Sequence, residues 1–208
     1  MSSWKEGQVM ADAELEGFLS RVSEHLGGLS RDGFKSTSWR FENRPTTEGV
    51  GLMAGVDLDV EKMVSCVMNV EAYPDNVQYV DSIEVRDRVS EGDVTYVQRM
   101  KLPALGGIQV VLHLVDLGER EGYRVIGWTQ EDAATEGLNP KQGGARTAYN
   151  LGAWLIKPDE VAYSLSAAPI KKDVGTIKYA LMTKGADATA GTVMRATIDG
   201  MTGWSKRV

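Results

Sequence analysis

Cysteine and histidine are scarce in this sequence. Its 208 residues include one cysteine, Cys66, and two histidines, His25 and His113. A lone cysteine excludes an internal disulfide and is typical of a reducing compartment. One cysteine and two histidines are also too few for a Cys/His zinc cluster, and no acidic loop has the spacing of a calcium site. We therefore predict a cytoplasmic protein with no bound metal and no cofactor.

Long apolar runs and basic clusters are lacking as well. No stretch approaches about 18 uninterrupted apolar residues, which excludes a transmembrane helix. The first residues, MSSWKEGQVMADAELEG, lack the basic and apolar regions of a signal peptide. Lys and Arg total 23 against 29 Asp and Glu, a net charge of −6. Nucleic acid is therefore not an expected partner, because binding phosphates needs concentrated positive charge.

The sequence also lacks recognisable catalytic motifs. The sequence contains no phosphate-binding loop, because Gly143 and Gly144 lack both the required spacing and the following Lys-Ser/Thr pair. It also contains no Gly-x-Ser-x-Gly elbow that would present a nucleophilic serine. The sequence therefore gives no enzymatic signature, and any function must be sought in the shape of the fold.

The hydrophobic pattern predicts a helix, two strands and a broken pair of short helices in the first third of the chain. Residues 12–26 form an amphipathic stripe with Asp12 as a plausible N-cap. Two strand-like runs lie within 34–57, and Asp59 can cap a helix that runs to about Asn69. Pro74 cannot continue that helix.

A meander of strands and a final helix make up the rest of the prediction. Strands are predicted at 79–88, 93–102, 107–117, 122–131, 147–157 and 160–168, mostly with short turns between them. The exception is the polar, glycine-rich segment 132–146, which we predict to be a mobile loop near one end of the sheet. The terminal helix begins near Val174, and Gly185 and Gly191 predict a kink or a break within it.

Four stretches resemble the START-like (SRPBCC) superfamily of helix-grip proteins. Residues 56–85, VDLDVEKMVSCVMNVEAYPDNVQYVDSIEV, are similar to its first strand, short helices and second strand. Residues 95–115, TYVQRMKLPALGGIQVVLHLV, resemble its third and fourth strands. Residues 152–169, GAWLIKPDEVAYSLSAAP, and 175–182, GTIKYALM, resemble its last strands and the start of its terminal helix.

The resemblance implies an α+β fold in which a curved antiparallel sheet wraps around a long C-terminal helix. Residues 1–33 would form an extra N-terminal helical extension packed on the domain, and 34–208 the helix-grip domain. The superfamily includes START lipid-transfer domains, birch-pollen-allergen-like proteins and polyketide cyclase/dehydrase-like proteins. It therefore implies binding or transport of a small hydrophobic, lipid-like or polyketide-like molecule in an internal cavity, with transient membrane contact. A cyclase or dehydratase that uses the same cavity and a protein-interaction module are the alternatives.

Eight residues are candidates to contact such a ligand. Two are polar: Arg99 for gripping a carboxylate or carbonyl, and His113 for exchanging a proton. The others are aromatic residues on predicted strands and apolar residues of the terminal helix: Trp128, Tyr149, Trp154, Tyr163, Ile177 and Leu181. Aromatic rings with a polar tip suit a mainly apolar pocket that must also orient its ligand. For each aromatic residue, plain core packing is an equally reasonable interpretation.

Overall fold

The computed structural model describes residues 12–42, 44–102 and 106–208, with the side chains of 184–189 left aside. Its helices are α1 (Ala13–Gly27), α2 (Val60–Met68), α3 (Tyr73–Asn76), α4 (Asp132–Glu136), α5 (Pro140–Gly143), α6 (Lys171–Val174) and α7 (Thr176–Ser205), with a 3-10 turn at Val70–Ala72. Its strands are β1 (Phe34–Trp39), β2 (Glu48–Ala54), β3 (Val80–Ser90), β4 (Asp93–Leu102), β5 (Gly106–Arg120), β6 (Tyr123–Gln130), β7 (Ala145–Ile156) and β8 (Glu160–Pro169). This order agrees closely with the order that the hydrophobic pattern predicts.

The strands form one curved sheet in the order β1-β2-β8-β7-β6-β5-β4-β3. All neighbours in this order pair antiparallel, and β5 and β7 add a short parallel contact at Ile108–Ala145 and Gln109–Arg146. The curved antiparallel sheet on a long C-terminal helix is therefore confirmed. Because β1 and β3 each pair on one side, they are the two edges of the sheet.

Two apolar cores lie on opposite faces of the sheet. The concave core joins alternate residues of the strands to α2 and α7, and its α7 members are Ile198, Met201 and Trp204. The convex core joins the other alternate residues to α1, through side chains such as Phe18 and Val22. Strand residues alternate between faces, so membership of a core fixes the direction in which each neighbour on the strand points.

Helix α7 lies very close to β1 and β2. A Cβ atom added at Gly51 would lie 2.9 Å from the Cβ of Met194, and one added at Gly191 would lie 2.7 Å from the Oγ of Ser36. The glycines therefore allow the backbones of helix and strands to approach. Helix α7 is continuous over 30 residues, so the break predicted at Gly185 and Gly191 is wrong, while the alternative of a kink there stays a prediction. Gly191 is used for this close approach.

A buried carboxylate helps to fasten α1 to the convex face. Glu48 is fully buried on β2 and accepts hydrogen bonds from Arg21 at 2.7 and 2.8 Å, from Trp39 at 2.9 Å and from Arg44 at 3.2 Å. Asp12 caps α1 as the sequence predicts, accepting from the amide of Leu15 at 2.8 Å. The hydrogen bonds from Arg21, Trp39 and Arg44 satisfy the charge of Glu48, which would otherwise be costly to bury.

The short broken helices close one end of the concave core. Tyr73 is buried there, donates its hydroxyl to the carbonyl of Val67, and meets the ring of Trp204 edge-on at 6.4 Å. Pro74 follows in the first turn of α3. The Tyr-Pro pair therefore turns the chain from α2 into β3 while its aromatic ring contacts the end of α7.

The segment predicted as a loop over 132–146 contains α4, α5 and the start of β7. Thr135 of α4 is fully buried, and its hydroxyl accepts a hydrogen bond from the amide of Val111 at 3.0 Å. Gln109 donates to the carbonyls of Asn139 and Gly144 at 2.9 and 2.8 Å. The segment thus satisfies the Val111 amide beyond the end of β6, and the Gln109 side chain of β5 satisfies two carbonyls of the segment, which docks it on the sheet.

Candidate functional site

Three aromatic side chains form a cluster on the concave face, which we call the aromatic cluster: Trp128 of β6, Trp154 of β7 and Tyr163 of β8. The ring centroids of Trp128 and Tyr163 are 5.6 Å apart with an interplanar angle of 29°, and those of Trp154 and Tyr163 are 4.7 Å apart at 56°. Trp154 and Tyr163 are direct cross-strand neighbours. The structure therefore brings together three of the residues that the sequence singled out.

The aromatic cluster is held in place by its neighbours on β7. Gly152 pairs with Trp128, and any Cβ at this position would collide with the indole ring and with the carbonyl of Ser164. Asn150, also buried, accepts a hydrogen bond from Trp128 Nε1 at 3.0 Å. The indole ring therefore lies against a glycine and has its single donor satisfied, so its orientation is fixed.

The tyrosines of the concave face remain protonated at neutral pH. Burial raises the pKa of Tyr163, and burial followed by the neighbouring Tyr163 phenol raises the pKa of Tyr96. Burial likewise raises the pKa of Tyr73. These hydroxyls therefore serve as neutral hydrogen-bond groups, and a phenolate base would be strongly disfavoured here.

Part of the concave apolar surface remains accessible. Several side chains pack against the concave core and yet are only partly buried, among them Ile83, Val85, Met100, Tyr163 and Leu165. They lie on β3, β4 and β8. An apolar surface that curves and is only partly covered is the usual setting of a small-molecule site.

Arg99, His113 and Tyr149 point to the convex face. Arg99 pairs with Glu84 of β3 at 3.2 Å, and His113 Nε2 lies 2.8 Å from Asp93 of β4. Tyr149 packs against the convex core, and its hydroxyl lies 2.6 Å from Thr46 Oγ1. Alternation decides these directions, because their neighbours Met100, Leu114 and Asn150 occupy the concave side. A role in a concave site is thus unsupported for these three residues.

The two candidate residues of the terminal helix are exposed. Ile177 is 87% exposed and Leu181 is 59% exposed, so these two side chains point away from the concave core. The physical reason is that α7 begins to bury side chains at Met182 and Thr183, past its first turns. Its first turns present apolar side chains to the surroundings, beside Lys178.

Three further aromatic residues of the concave core were missed as candidates. Tyr73, Tyr96 and Trp204 form edge-on contacts with ring centroids 6.4 Å apart. Their signal in the sequence was weak, because each lies on a different element and their proximity depends on the curvature of the sheet. Tyr96 lies on the same face of β4 as Val94, and this spacing of two is the pattern that could have identified it.

Two grooves lie elsewhere on the surface. One, of about 560 Å³, runs between β1 and α7 and is lined by small and polar residues that include Ser36, Ser38 and Gly191. The other, of about 710 Å³, lies beside α2 and contains the ion pairs Arg88–Glu71 and Arg124–Asp116.

Within the described ranges, no group of three or more His, Cys, Asp or Glu side chains could hold a metal ion. Within the same ranges, no helix is long and apolar enough to cross a membrane.

The chain is similar to known proteins in its three-dimensional structure. No protein-family model and no curated protein sequence matches the chain. A STAR-related lipid transfer protein from Xanthomonas axonopodis has a TM-score of 0.68 at 15% identity, over 86% of this chain and 97% of that chain. Human STARD10 has the same TM-score and identity, over 98% of this chain and 86% of that chain.

Polyketide enzymes share the fold at greater distance. The Zhui aromatase/cyclase from Streptomyces sp. R1128 has a TM-score of 0.54 at 10% identity, over 84% of this chain and 94% of that chain. The first of these neighbours is described as a STAR-related lipid transfer protein and the last as an aromatase/cyclase, and their likeness confirms the helix-grip fold that the sequence resemblance implied. At identities this low, the likeness shows the fold alone.

Proposed function

We propose that the protein binds and carries a small hydrophobic molecule, lipid-like or polyketide-like, between the concave face of the sheet and α7. The observation that carries this proposal is the aromatic cluster of Trp128, Trp154 and Tyr163, which borders partly exposed apolar residues on the concave face. Structural neighbours described as lipid transfer proteins support the same class of ligand.

Apolar burial would supply most of the affinity. A ligand that removes about 300 Å² of apolar surface from water gains roughly 7 kcal/mol, which is enough for binding without a charged anchor. Orientation would come from the Tyr163 hydroxyl, which burial keeps protonated by raising its pKa. A neutral donor and acceptor suits a carbonyl or hydroxyl on an otherwise apolar molecule.

Exchange of the ligand would take place at the N-terminal end of α7. Ile177 and Leu181 are four residues apart on this helix and strongly exposed. Lys171, Lys172 and Lys178 are also exposed nearby, and each lysine near an anionic lipid surface contributes about 1 kcal/mol of attraction. We therefore assign these two apolar residues to transient membrane contact, although they do not line the aromatic cluster.

A carrier is favoured over an enzyme by what surrounds the aromatic cluster. Proton transfer in a cyclase or dehydratase needs a group that titrates near neutral pH and reaches the substrate. His113 lies on the convex face, bonded to Asp93. The tyrosines near the aromatic cluster have raised pKa values.

Replacement of Tyr163 tests the proposed site. Tyr163→Leu should weaken binding of an apolar fluorescent probe by roughly threefold to tenfold, because stacking of aromatic pairs contributes about 0.5–1.5 kcal/mol beyond area burial. The probe should also quench tryptophan fluorescence, since Trp128 and Trp154 adjoin Tyr163. Probe affinity is measured by titration, and each variant's unfolding transition is measured alongside.

Tyr149→Leu is the matched control. Tyr149 lies on neighbouring β7 but packs on the convex face, so its loss should leave probe affinity unchanged. Equal probe affinity for wild type and Tyr163→Leu would overturn the proposed site. Solvent extraction of the purified protein, followed by mass spectrometry, would then identify the chemical class of any molecule that it carries.

A further inference from the structure

Three tyrosine hydroxyls of this protein have a partner within the chain. Tyr73 donates to a backbone carbonyl at the end of α2, and Tyr123 donates to the carboxylate of Glu160. The Tyr149 hydroxyl lies 2.6 Å from Thr46 Oγ1. These pairings follow the general rule for side chains that leave water, because a buried hydroxyl without a partner is destabilising.

Tyr96 departs from this rule. It is only 3% exposed, yet within the described residues its hydroxyl has no hydrogen-bond partner. In that same part of the chain, every side-chain nitrogen or oxygen atom that is closed off from water does have one. The Tyr96 hydroxyl therefore borders a space that a water-sized group can enter. The hydroxyl of Tyr163, which is half-buried, is in the same situation.

The curvature of the sheet brings Tyr96 and Tyr163 towards each other. Both lie on the concave face, but Tyr96 is on β4 and Tyr163 is on β8, four strand positions away. A flat sheet would separate them by about 19 Å. After burial, the Tyr163 phenol is nevertheless the next cause that raises the pKa of Tyr96, which requires the two phenols to be near each other. Both hydroxyls therefore open on the same concave space, beside the aromatic cluster.

We propose that the hydroxyls of Tyr96 and Tyr163 together bind one carbonyl oxygen of the ligand, so that Tyr96 determines which molecules the protein carries. This inference rests on the proposed function, to which it adds the class of ligand: apolar ketones and aldehydes. A carbonyl oxygen has two lone pairs and brings no donor of its own. Two phenol donors that lack partners therefore match it with nothing left unsatisfied.

The electrostatics of this pair favour a neutral oxygen over a carboxylate. The pKa of Tyr163 is raised by burial, and the pKa of Tyr96 by burial and then by the other phenol. Within the described residues, no basic side chain opposes these shifts, and Arg99 lies on the convex face paired with Glu84. A carboxylate bound here would be a buried charge without a cation, which is costly.

Two probes of equal shape test the proposal. 2-Acetylnaphthalene carries a carbonyl oxygen where 2-isopropenylnaphthalene carries a CH₂ group, and equilibrium dialysis measures the affinity of each. Tyr96→Phe and Tyr163→Phe should each weaken binding of the ketone by about threefold to tenfold, because each removes one hydrogen bond. Neither change should weaken binding of the hydrocarbon. Tyr149→Phe is the control and should alter neither affinity, since its hydroxyl lies on the convex face.

Two further measurements address the partners and the charge. Tyr73→Phe deprives a buried carbonyl of its donor and should lower the melting temperature by about 2–4 °C. Tyr96→Phe should not lower it, because no partner within the protein is lost. A loss as large as that of Tyr73→Phe would overturn the proposal. 2-Naphthoate should bind wild type at least about tenfold more weakly than the ketone, and equal binding would also overturn it.

The outcomes separate this inference from the proposed function. A ketone affinity that responds to only one of the two Phe substitutions overturns the paired site and leaves the carrier function standing. Ketone affinity that is unchanged in both variants does the same, and is the result expected if the two hydroxyls hold only a water molecule. A wild-type protein that binds neither the ketone nor the hydrocarbon overturns the proposed function and this inference together.

Discussion

At the scale of single residues, the most consequential side chain outside the aromatic cluster is Glu48. It is fully buried, and Arg21, Arg44 and Trp39 all donate to its carboxylate. Glu48→Gln should lower the free energy of unfolding by about 3–5 kcal/mol, because two arginines would lose the charge that balances them. Urea denaturation followed by circular dichroism measures the change.

The control for this change is Glu24→Gln, which removes an exposed carboxylate from α1. It should alter the free energy of unfolding by no more than about 0.5 kcal/mol. If both substitutions had the same small effect, Glu48 would not be the charge that fastens Arg21 of α1 and Arg44 to the sheet.

A second prediction at the scale of single residues concerns Gly152, whose lack of a side chain leaves room for the Trp128 ring. Gly152→Ala places a methyl group against the Trp128 ring and the Ser164 carbonyl, so it should cost about 1–3 kcal/mol of unfolding free energy. Displacement of the indole should also shift the tryptophan emission spectrum.

Gly17→Ala in α1 is the matched comparison for Gly152→Ala. Its nearest neighbour would be Arg21 at 3.5 Å, an ordinary contact. It should stabilise the protein by about 0.5–1 kcal/mol, because glycine in a helix loses more conformational freedom on folding than alanine. Thermal unfolding of both variants would refute the interpretation if their effects had the same sign.

At the scale of elements, an ion pair connects β7 to the short helix before α7. Arg146 donates to Asp173 at 2.7 and 2.9 Å, and the Asp173 side chain is almost fully buried. These hydrogen bonds hold the pKa of Asp173 below its usual value. A carboxyl with a lowered folded pKa stabilises the fold above its unfolded pKa of about 3.9, and that stability is lost as pH falls.

The pH dependence of unfolding therefore tests this pair. Wild type should exceed Asp173→Asn in free energy of unfolding at neutral pH, and the gap should narrow as pH falls below about 4. Arg146→Met removes the partner and should flatten the acid-dependent part of the profile in the same way. A gap that stayed constant down to pH 2 would show that Asp173 contributes through packing alone.

Elements also show what the sequence could and could not predict. Periodicity is local, so it located α1, α2 and most strands within a few residues, and Asp12 and Asp59 were identified as caps. The segment 132–146 was misread although Asn139 caps α5 and Pro140 begins it. The segment docks where β5 extends past β6, because Thr135 accepts from the Val111 amide of β5 and the Gln109 side chain of β5 donates to carbonyls of the segment. That requirement is visible only once the strands are paired.

At the scale of the whole molecule, the sequence could not show which face of each strand lies on the concave side of the sheet. Alternation separates the two faces of a strand but does not say which one becomes concave. Tyr149 and Trp154 are five positions apart on β7, so alternation places them on opposite faces, but the sequence does not show which of the two side chains lies on the concave face. The same applies to His113, whose strand is apolar on both faces. Curvature, which decides the matter, arises from pairing across the entire sheet.

The uneven burial of α7 leads to a prediction for the molecule as a whole. Residues 176–181 are largely exposed, whereas Met194, Ile198, Met201 and Trp204 are buried against the sheet and α2. Helix segments with few buried apolar contacts open at low free energy. Amide hydrogens of 178–182 should therefore exchange faster than those of 196–204, as measured by hydrogen–deuterium exchange with mass spectrometry.

An apolar ligand should change this pattern in a specific place. If the molecule occupies the space between the aromatic cluster and α7, its binding should slow exchange in the first turns of α7 and leave 196–204 unchanged, because those later turns are already packed. The peptide that covers α1, on the convex face, is the internal control and should not respond. Equal exchange along all of α7, with and without the probe, would mean that the exposed N-terminal turns are as stable as the buried ones. Entry of a ligand at that end of the helix would then lose its physical basis.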